Sequence, residues 1–94
     1  MKYYVYIAIE RKEAILDPQG KAVGHALGTL GFSQINDTRI GKMVRLEVDA
    51  QNEESARAIG EDAAHKLLAN AIMEEFSVIE VSESKQLHRK AEHA

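Results

Sequence analysis

The chain has 94 residues, of which 45% are hydrophobic and 29% are charged, and its formal net charge is −3. Its length accommodates one domain and its composition is that of a globular protein, so a second core and intrinsic disorder are excluded. The lack of cysteine excludes disulfides and thiol nucleophiles, and the acidic balance argues against a nucleic-acid partner, because phosphate contacts need a positive surface.

The first predicted element is a strand over Lys2 to Glu10, which has apolar residues on both faces. The longest apolar run, Tyr3 to Ile9, is far shorter than the about 20 residues of a membrane span. The charged residues that follow it contain no small-residue cleavage site for secretion. We therefore expect a cytoplasmic protein with no membrane partner.

A helix is predicted to begin at Asp17-Pro18, because aspartate is a good N-cap and proline suits the first helical position. Gly31 is expected to end it in the left-handed conformation, with Phe32 packing back on the last turn. An apolar stripe at helical spacing is expected to face the core: Val23, Ala26, Leu27 and Leu30. Three glycines every four residues beside it indicate either close approach of another backbone or a loose helix: Gly20, Gly24 and Gly28.

A β-hairpin is predicted next, with strands over Ile35 to Ile40 and Met43 to Ala50 and a type II′ turn at Gly41-Lys42. Arg39 and Lys42 flank this turn. They are either docking charges on an exposed tip or edge charges that keep the hairpin soluble.

A second helix is expected after the N-cap Asn52, and a last strand over Phe76 to Val81. Asn70 is expected to stop this helix in a left-handed conformation. Its predicted buried stripe comprises Ala56, Ile59, Gly60, Ala63 and Leu67.

This β-α-β-β-α-β order predicts an α+β two-layer sandwich, an antiparallel sheet with both helices on one face. Residues 1–82 form the single domain and residues 83–94 a C-terminal tail that is frayed or weakly helical. The sheet's other face carries Tyr4, Tyr6 and Ala8. Because that set is too apolar to stay wet, we expect it to be covered in a homodimer or higher homo-oligomer.

The sequence shows no grouping that carries out chemistry. No two of His25, His65, His88 and His93 stand at i+3 or i+4, so a metal site is not indicated. The chain has no phosphate-binding G-x-x-x-x-G-K-[ST] motif, and two glutamates at the start of the second helix would repel phosphate. We expect no catalytic residue and no bound cofactor.

A series of short motifs over about residues 2 to 82 resembles the PurS family. The order and spacing of the motifs make the resemblance specific, although Ala71 stands where the family usually has a proline. The motifs are Ile15-Leu16-Asp17-Pro18-Gln19-Gly20, Ala22-Val23, Ala26-Leu27, Leu30-Gly31-Phe32, Arg39-Ile40-Gly41-Lys42, Leu46-Glu47-Val48 and Leu67-Leu68-Ala69-Asn70.

The resemblance implies the small subunit of phosphoribosylformylglycinamidine synthase, an ATP-dependent amidotransferase of purine biosynthesis. It further implies a synthetase partner (PurL-type) that holds ATP and Mg²⁺, and a glutaminase partner (PurQ-type) that releases ammonia. The small subunit would bridge them and help ammonia pass. Interface residues are then expected in the motifs and on the second sheet face: Tyr4, Tyr6, Asp17, Gln19, Gly20, Arg39, Gly41 and Lys42.

Two other functions remain open on the residues alone. An ACT-like regulatory domain that binds a small molecule has the same element order, and fold alone does not separate it from a connecting subunit. An acylphosphatase-like enzyme needs an arginine in a phosphate-cradling loop after the first strand, and Arg11 stands there without a glycine-rich loop.

Overall fold

The sheet is organised around its first strand. In the computed structural model, which describes residues 1–85, β1 (Lys2–Arg11) lies between β2 (Lys42–Asp49) and β3 (Glu74–Ser82), and both neighbours are antiparallel to it. The other elements are α1 (Pro18–Thr29), α2 (Glu53–Ala63) and a π-helical turn (Ala64–Leu68). None of the helices within residues 1–85 is long and apolar enough to cross a membrane.

The core lies between α2 and one face of the sheet. Val5, Ile7 and Ile9 of β1 are fully buried there, and α2 packs mainly on β1 and β3. The helix comes close because it presents Gly60: a Cβ atom at this position would lie 2.6 Å from Cγ1 of Val5. The predicted first and last strands and the α+β class are confirmed.

The second helix begins as predicted and ends differently. The Asn52 side chain accepts the amide N–H of Ser55 at 2.8 Å, which confirms the cap. The π-helical turn adds a residue per turn, so that Ala64 packs on the core while Leu67 is 83% exposed. The predicted burial of Leu67, and of the exposed Ile59, was therefore wrong.

Asn70 stops this helix through its side chain. Its Oδ1 accepts the amide N–H groups of Ile72 and Met73 at 2.9 and 3.1 Å. Its φ is not positive, so the predicted left-handed stop was wrong. A short polar side chain achieves the same reversal by replacing a backbone acceptor.

The ends of α1 follow the sequence prediction. The Asp17 side chain accepts the amide N–H of Gly20 at 3.0 Å, and Pro18 occupies the first turn. Gly31 has φ +99°, and its N–H and that of Phe32 donate to the carbonyls of Gly28 and Leu27. This paired arrangement closes the helix in the way that a left-handed glycine permits.

The predicted position of α1 was wrong. Within residues 1–85 it packs along neither the strands nor α2, so only α2 covers the sheet. We call residues 17–40 the arm. It comprises α1 and, after the turn that ends α1, residues 35–40, which we call the return segment. Residues 1–11 with 42–82 are the body. The predicted inward stripe of α1 lies mostly in the open, with Leu30 74% exposed.

The predicted hairpin was also wrong: residues 35–40 form no strand, and the element order is β-α-β-α-β. This segment runs back along α1 instead. A Cβ atom on Gly20 would lie 2.6 Å from the Thr38 carbonyl oxygen, and one on Gly24 would lie 3.1 Å from the Thr38 hydroxyl. These two glycines thus admit the return segment, as close backbone approach requires, whereas Gly28 meets nothing within 4 Å.

Residues 83–85 follow β3 as bends, and the part of the predicted tail beyond residue 85 lies outside the described residues. The domain boundary at residue 82 stays a prediction.

Candidate functional site

Asp17 closes the base of the arm. Its Oδ1 accepts the N–H of Gly20 at 3.0 Å, and its Oδ2 accepts the N–H of Ile40 at 2.7 Å. One buried carboxylate therefore caps α1 and fixes the end of the return segment. The Ile40 N–H, which the predicted hairpin would have used between its strands, is instead bonded to Asp17.

The surroundings of Asp17 stabilise the ionised form of its carboxyl group. The backbone hydrogen bonds from Gly20 and Ile40 hold the pKa of the Asp17 carboxyl below its ordinary value of 3.8, although burial raises it. The positive charges of Arg39 and Arg11 lower it further. Asp17 is therefore ionised at neutral pH and acts as a structural acceptor.

Arg39 is directed into the chain rather than out of it. Its Nη2 donates to the carbonyl oxygens of Lys12 at 2.9 Å and Ile15 at 3.1 Å, and lies 3.4 Å from that of Arg11. It thereby orders the loop between β1 and α1. The expected exposed tip with Arg39 as a docking charge does not exist.

Position 41 needs a glycine because there is no room for a side chain, and not because of a turn conformation. Its φ is not positive, and a Cβ atom there would lie 2.5 Å from the carbonyl oxygen of Ile9. This contact lays the start of β2 on the end of β1.

A groove of about 150 Å³ opens where the arm meets the body. We call it the base groove. It carries the positive side chains of Arg11 and Lys42 and the negative side chain of Glu74. Its lining is completed by Ile9, Gln19, Ile40 and Gly41.

The structure thus brings six of the expected interface residues to one place. Asp17, Gly20 and Arg39 build the base of the arm, while the exposed Gln19, Gly41 and Lys42 line the groove beside it. The sequence prediction missed Arg11, Thr38 and Ile40 in this region. Ile40 acts through its backbone N–H, and Thr38 meets Gly20 with its carbonyl and Gly24 with its hydroxyl, so no charge or spacing pattern marked either residue.

Tyr4 and Tyr6 lie elsewhere, on the sheet face opposite α2. They are 7% and 3% exposed, and the Tyr6 hydroxyl donates to the carbonyl of Lys85. Arg45 lies over the Tyr4 ring, 5.8 Å from its centroid. The face expected to need a partner is thus already buried at these two residues, and part of its cover is the segment that follows β3.

No reaction centre is visible in the part of the chain that the structure describes. No three of its His, Asp or Glu side chains are grouped so that they could hold a metal ion. The backbone hydrogen bonds of Asp17 occupy both of its oxygens, which leaves it poorly suited to proton transfer.

This fold is that of a small α+β protein built on a three-stranded antiparallel sheet. The PurS family model, described as phosphoribosylformylglycinamidine (FGAM) synthase, matches residues 4–83. The chain belongs to the PurS family.

Individual relatives agree with this assignment. The phosphoribosylformylglycinamidine synthase subunit PurS of Bacillus subtilis is 35% identical over 74 residues, which cover 79% of this chain and 87% of the relative. The structure of Thermus thermophilus PurS matches with a TM-score of 0.82 and 33% identity, covering 89% of this chain and 99% of that one.

A third match is a chain in the structure of PurLQS from Thermotoga maritima, with a TM-score of 0.74 and 30% identity, covering 86% of this chain and 95% of that one. Together these matches confirm the resemblance drawn from the sequence motifs. They identify a subunit of FGAM synthase in purine biosynthesis and favour it over a small-molecule-binding regulatory domain or a phosphatase-like enzyme.

Proposed function

We propose that the chain is a connecting subunit that joins a PurL-type synthetase subunit to a PurQ-type glutaminase subunit of FGAM synthase and assists the transfer of ammonia between them. The observation that carries this proposal is the match to a chain of PurLQS over 86% of the present chain. The family model matches residues 4–83, a range that includes the strands, α2 and the arm.

The chemistry of the chain supports a connecting role without a reaction centre. Glutamine hydrolysis by a thiol needs a cysteine, and the sequence has none. ATP binding through a phosphate loop needs a motif that the sequence also lacks. In this proposal ATP and Mg²⁺ bind to the synthetase subunit, this chain binds no cofactor, and the complex works in the cytoplasm.

The base groove is the surface that we assign to a partner subunit. Lys42 and Gln19 are exposed there, and Lys42 begins β2, so its position is fixed by the strand that pairs with β1. Side chains on rigid elements suit docking, because little conformational freedom is lost on binding. Tyr4 and Tyr6 are not part of this surface.

Reconstitution tests the connecting role. The purified chain is mixed with the synthetase and glutaminase subunits, and FGAM formation is measured with glutamine and, separately, with free ammonia. Omitting the chain should abolish the glutamine-dependent rate and reduce the ammonia-dependent rate far less. An equal loss of both rates would contradict a role in ammonia transfer and leave support of the synthetase fold as the function.

A charge reversal tests the groove. Lys42→Glu should slow association with the partner subunits at low salt, with a smaller effect at high salt, since exposed charges act mainly on the association rate and are screened. The melting temperature of the free chain should barely change. The measurement is association kinetics at two ionic strengths.

The matched control is Lys66→Glu, the same charge change at a lysine of the π-helical turn that does not line the groove. Lys66 is exposed and pairs with Asp62 at 3.2 Å, four residues before it. Loss of this exposed ion pair should lower the free energy of unfolding by at most about 0.5 kcal/mol. Equal association rates for the two variants would remove the base groove from the interface.

A further inference from the structure

The sheet face opposite α2 has a covered end and an open end. We call this face the outer face. It carries every second residue of β1 from Tyr4 to Glu10 and the residues of β2 and β3 that pair with them, because directly paired residues project to the same side of a sheet. The paired residues are Glu47, Arg45 and Met43 on β2 and Ser82, Glu80, Ser77 and Glu75 on β3.

The open end lies around Ala8 and Glu10. Tyr4 and Tyr6 are buried, whereas Ala8 is only partly buried and Glu10 is exposed. Met43, which pairs with Ala8, is 52% exposed. A pocket of about 220 Å³ opens at this end and is lined by Ala8, Glu10, Glu75, Phe76 and Ser77. The cover that buries the two tyrosines therefore does not reach Glu10.

The open end also carries an excess of negative charge. Glu10 pairs directly with Glu75 across the two strands, and like charges in such a pair destabilise a sheet. Neither carboxylate forms an ion pair with another residue within the part that the structure describes. Glu80 adds a further negative charge to the same face. Positive charge brought to this end would therefore stabilise the sheet.

The chain itself turns onto the outer face after β3. The Ser82 hydroxyl donates to the carbonyl of Ser84 at 3.0 Å and accepts its N–H at 3.3 Å, which closes a tight turn. The carbonyl oxygen of Lys85 then accepts a hydrogen bond from the Tyr6 hydroxyl and lies 3.5 Å from Nη1 of Arg45. Lys85 is thus held over β1 and β2 and not beside β3.

The position of Lys85 shows the direction in which the chain runs. β3 ends at Ser82, which pairs with Tyr4, yet three residues later the chain contacts Tyr6, two positions further along β1. The chain has therefore reversed and runs over the outer face from Tyr4 toward Glu10. The residues that follow Lys85 begin at this point and with this direction.

We propose that residues 83–94 form a strap that continues past Lys85 along β1 and covers the open end of the outer face. An extended segment advances about as far per residue as the strand beneath it. Leu87 and Ala8 each lie two residues beyond the contact between Lys85 and Tyr6. Leu87 therefore reaches the partly apolar surface around Ala8.

The charges of the strap match the surface beneath them. Arg89 and Glu10 each lie four residues beyond that same contact, and Lys90 follows directly. The two cations therefore reach the carboxylates of Glu10 and Glu75. An apolar residue meets the apolar part of the open end, and positive charge meets its paired glutamates.

A segment of the same chain is the favoured occupant of the open end. Because the contacts of Lys85 tether it there, it acts at a high effective concentration and loses less freedom than a separate molecule would. The PurS family model matches residues 4–83, so the inference concerns a part of the chain beyond that match. It does not depend on the proposed function.

The first experiment uses thiols, which the chain lacks. Leu87→Cys is combined in one chain with Met43→Cys and treated at high dilution with a short bifunctional maleimide. The matched control combines Leu87→Cys with Ile59→Cys, because Ile59 is 46% exposed on α2, which covers the other face. We expect the pair with Met43→Cys to link roughly tenfold faster, because the strap keeps its two thiols close. Circular dichroism of each variant verifies the fold.

Two results of this experiment would overturn the inference. Equal linking rates for the two pairs would show that the segment does not stay on the outer face. A mixture of the single variants Leu87→Cys and Met43→Cys that links as fast as the double variant would show that the strap of another copy occupies the open end.

The second experiment tests the charges in the chain that carries Leu87→Cys and Met43→Cys. Arg89→Glu with Lys90→Glu should slow linking several-fold at low salt and less at high salt, because exposed charges are screened. Arg57→Glu with Lys66→Glu is the control, since it makes the same charge change at exposed positions of α2 and the π-helical turn. This control should leave the rate unchanged.

A charge exchange completes the test. Adding Glu10→Lys and Glu75→Lys to the chain with Arg89→Glu and Lys90→Glu should restore the linking rate, because opposite charges face each other again. A rate that the strap substitutions leave unchanged, or that the exchange does not restore, would contradict the assignment of these cations to the open end.

Discussion

The body and the arm are held together by different forces. In the body, Val5 and Ile7 are fully buried between the sheet and α2, so its stability comes from apolar burial. In the arm the buried group is the carboxylate of Asp17, and its order comes from hydrogen bonds and from glycines that admit the return segment. The comparison shows that an apolar helical stripe indicates a helix but not the surface that the helix will cover.

The largest expected difference is between one core residue and one arm residue. Ile7→Ala should lower the free energy of unfolding by about 2–5 kcal/mol, because it leaves a cavity in a fully buried site. Leu30→Ala should change that of a single chain by less than about 0.5 kcal/mol, because Leu30 is mostly exposed. Urea unfolding at low protein concentration measures both.

Protein concentration then sharpens this comparison. If the loss of stability in Leu30→Ala grows with protein concentration, it reports self-association of the chain, since a bound copy stabilises the folded state by mass action. A loss of several kcal/mol at high dilution would contradict the exposed position of Leu30 in the single chain.

A pair of glycine substitutions should give opposite signs. Gly60→Ala should destabilise the body by about 1–3 kcal/mol, because the new Cβ meets the stiff, buried Val5 at 2.6 Å. Gly28→Ala should stabilise α1 by up to about 1 kcal/mol, because nothing lies within 4 Å of its Cβ and alanine favours a helix. Thermal unfolding of both variants is the measurement, and a destabilising Gly28→Ala would show that the arm is packed more tightly than the contacts indicate.

The smallest effect is local and depends on pH. Asp17→Asn leaves one acceptor oxygen for two N–H groups, so the amides of Gly20 and Ile40 should exchange with solvent faster, while that of Val5 should not. Because the folded pKa of Asp17 is lowered, its contribution is complete above the ordinary value of 3.8 and disappears as the pH falls through the lower folded value.

The difference in exchange rate between wild type and Asp17→Asn should therefore be largest at neutral pH and should disappear in strong acid. Hydrogen exchange across that range checks this, with Val5 reporting global unfolding. A difference that stays constant down to the lowest pH would mean that the charge of Asp17 does not hold the arm.

The sequence predicted correctly those features of the fold that depend on contacts between residues close together in the chain. Asp17, Asn52 and Gly31 were predicted to begin or end helices, and each does so through contacts within a few residues. The alternation and the β-branched and aromatic residues of β1 predicted a strand, and that is confirmed. Such features depend on backbone geometry that neighbouring residues determine.

The errors come from contacts between residues that are distant in sequence. Residues 35–40 have the composition of a strand, but the N–H of Ile40 bonds to a carboxylate 23 residues earlier. The position of α1 depends on that same bond. For the site, the family resemblance placed Gln19, Lys42 and Arg39 among the expected interface residues, although the motifs did not show that Arg39 points inward.

The central place of β1 has a consequence for synthesis of the chain. β1 pairs with β3 in a register that joins Tyr4 to Ser82, so the sheet is completed only after β3 has been translated, long after β1. Until then one edge of β1 has no partner strand, and the apolar side chains of β1 are incompletely covered. Because pairings between distant residues also slow folding, this subunit should fold more slowly than a helical bundle of equal length, and chains released before β3 should be prone to aggregate.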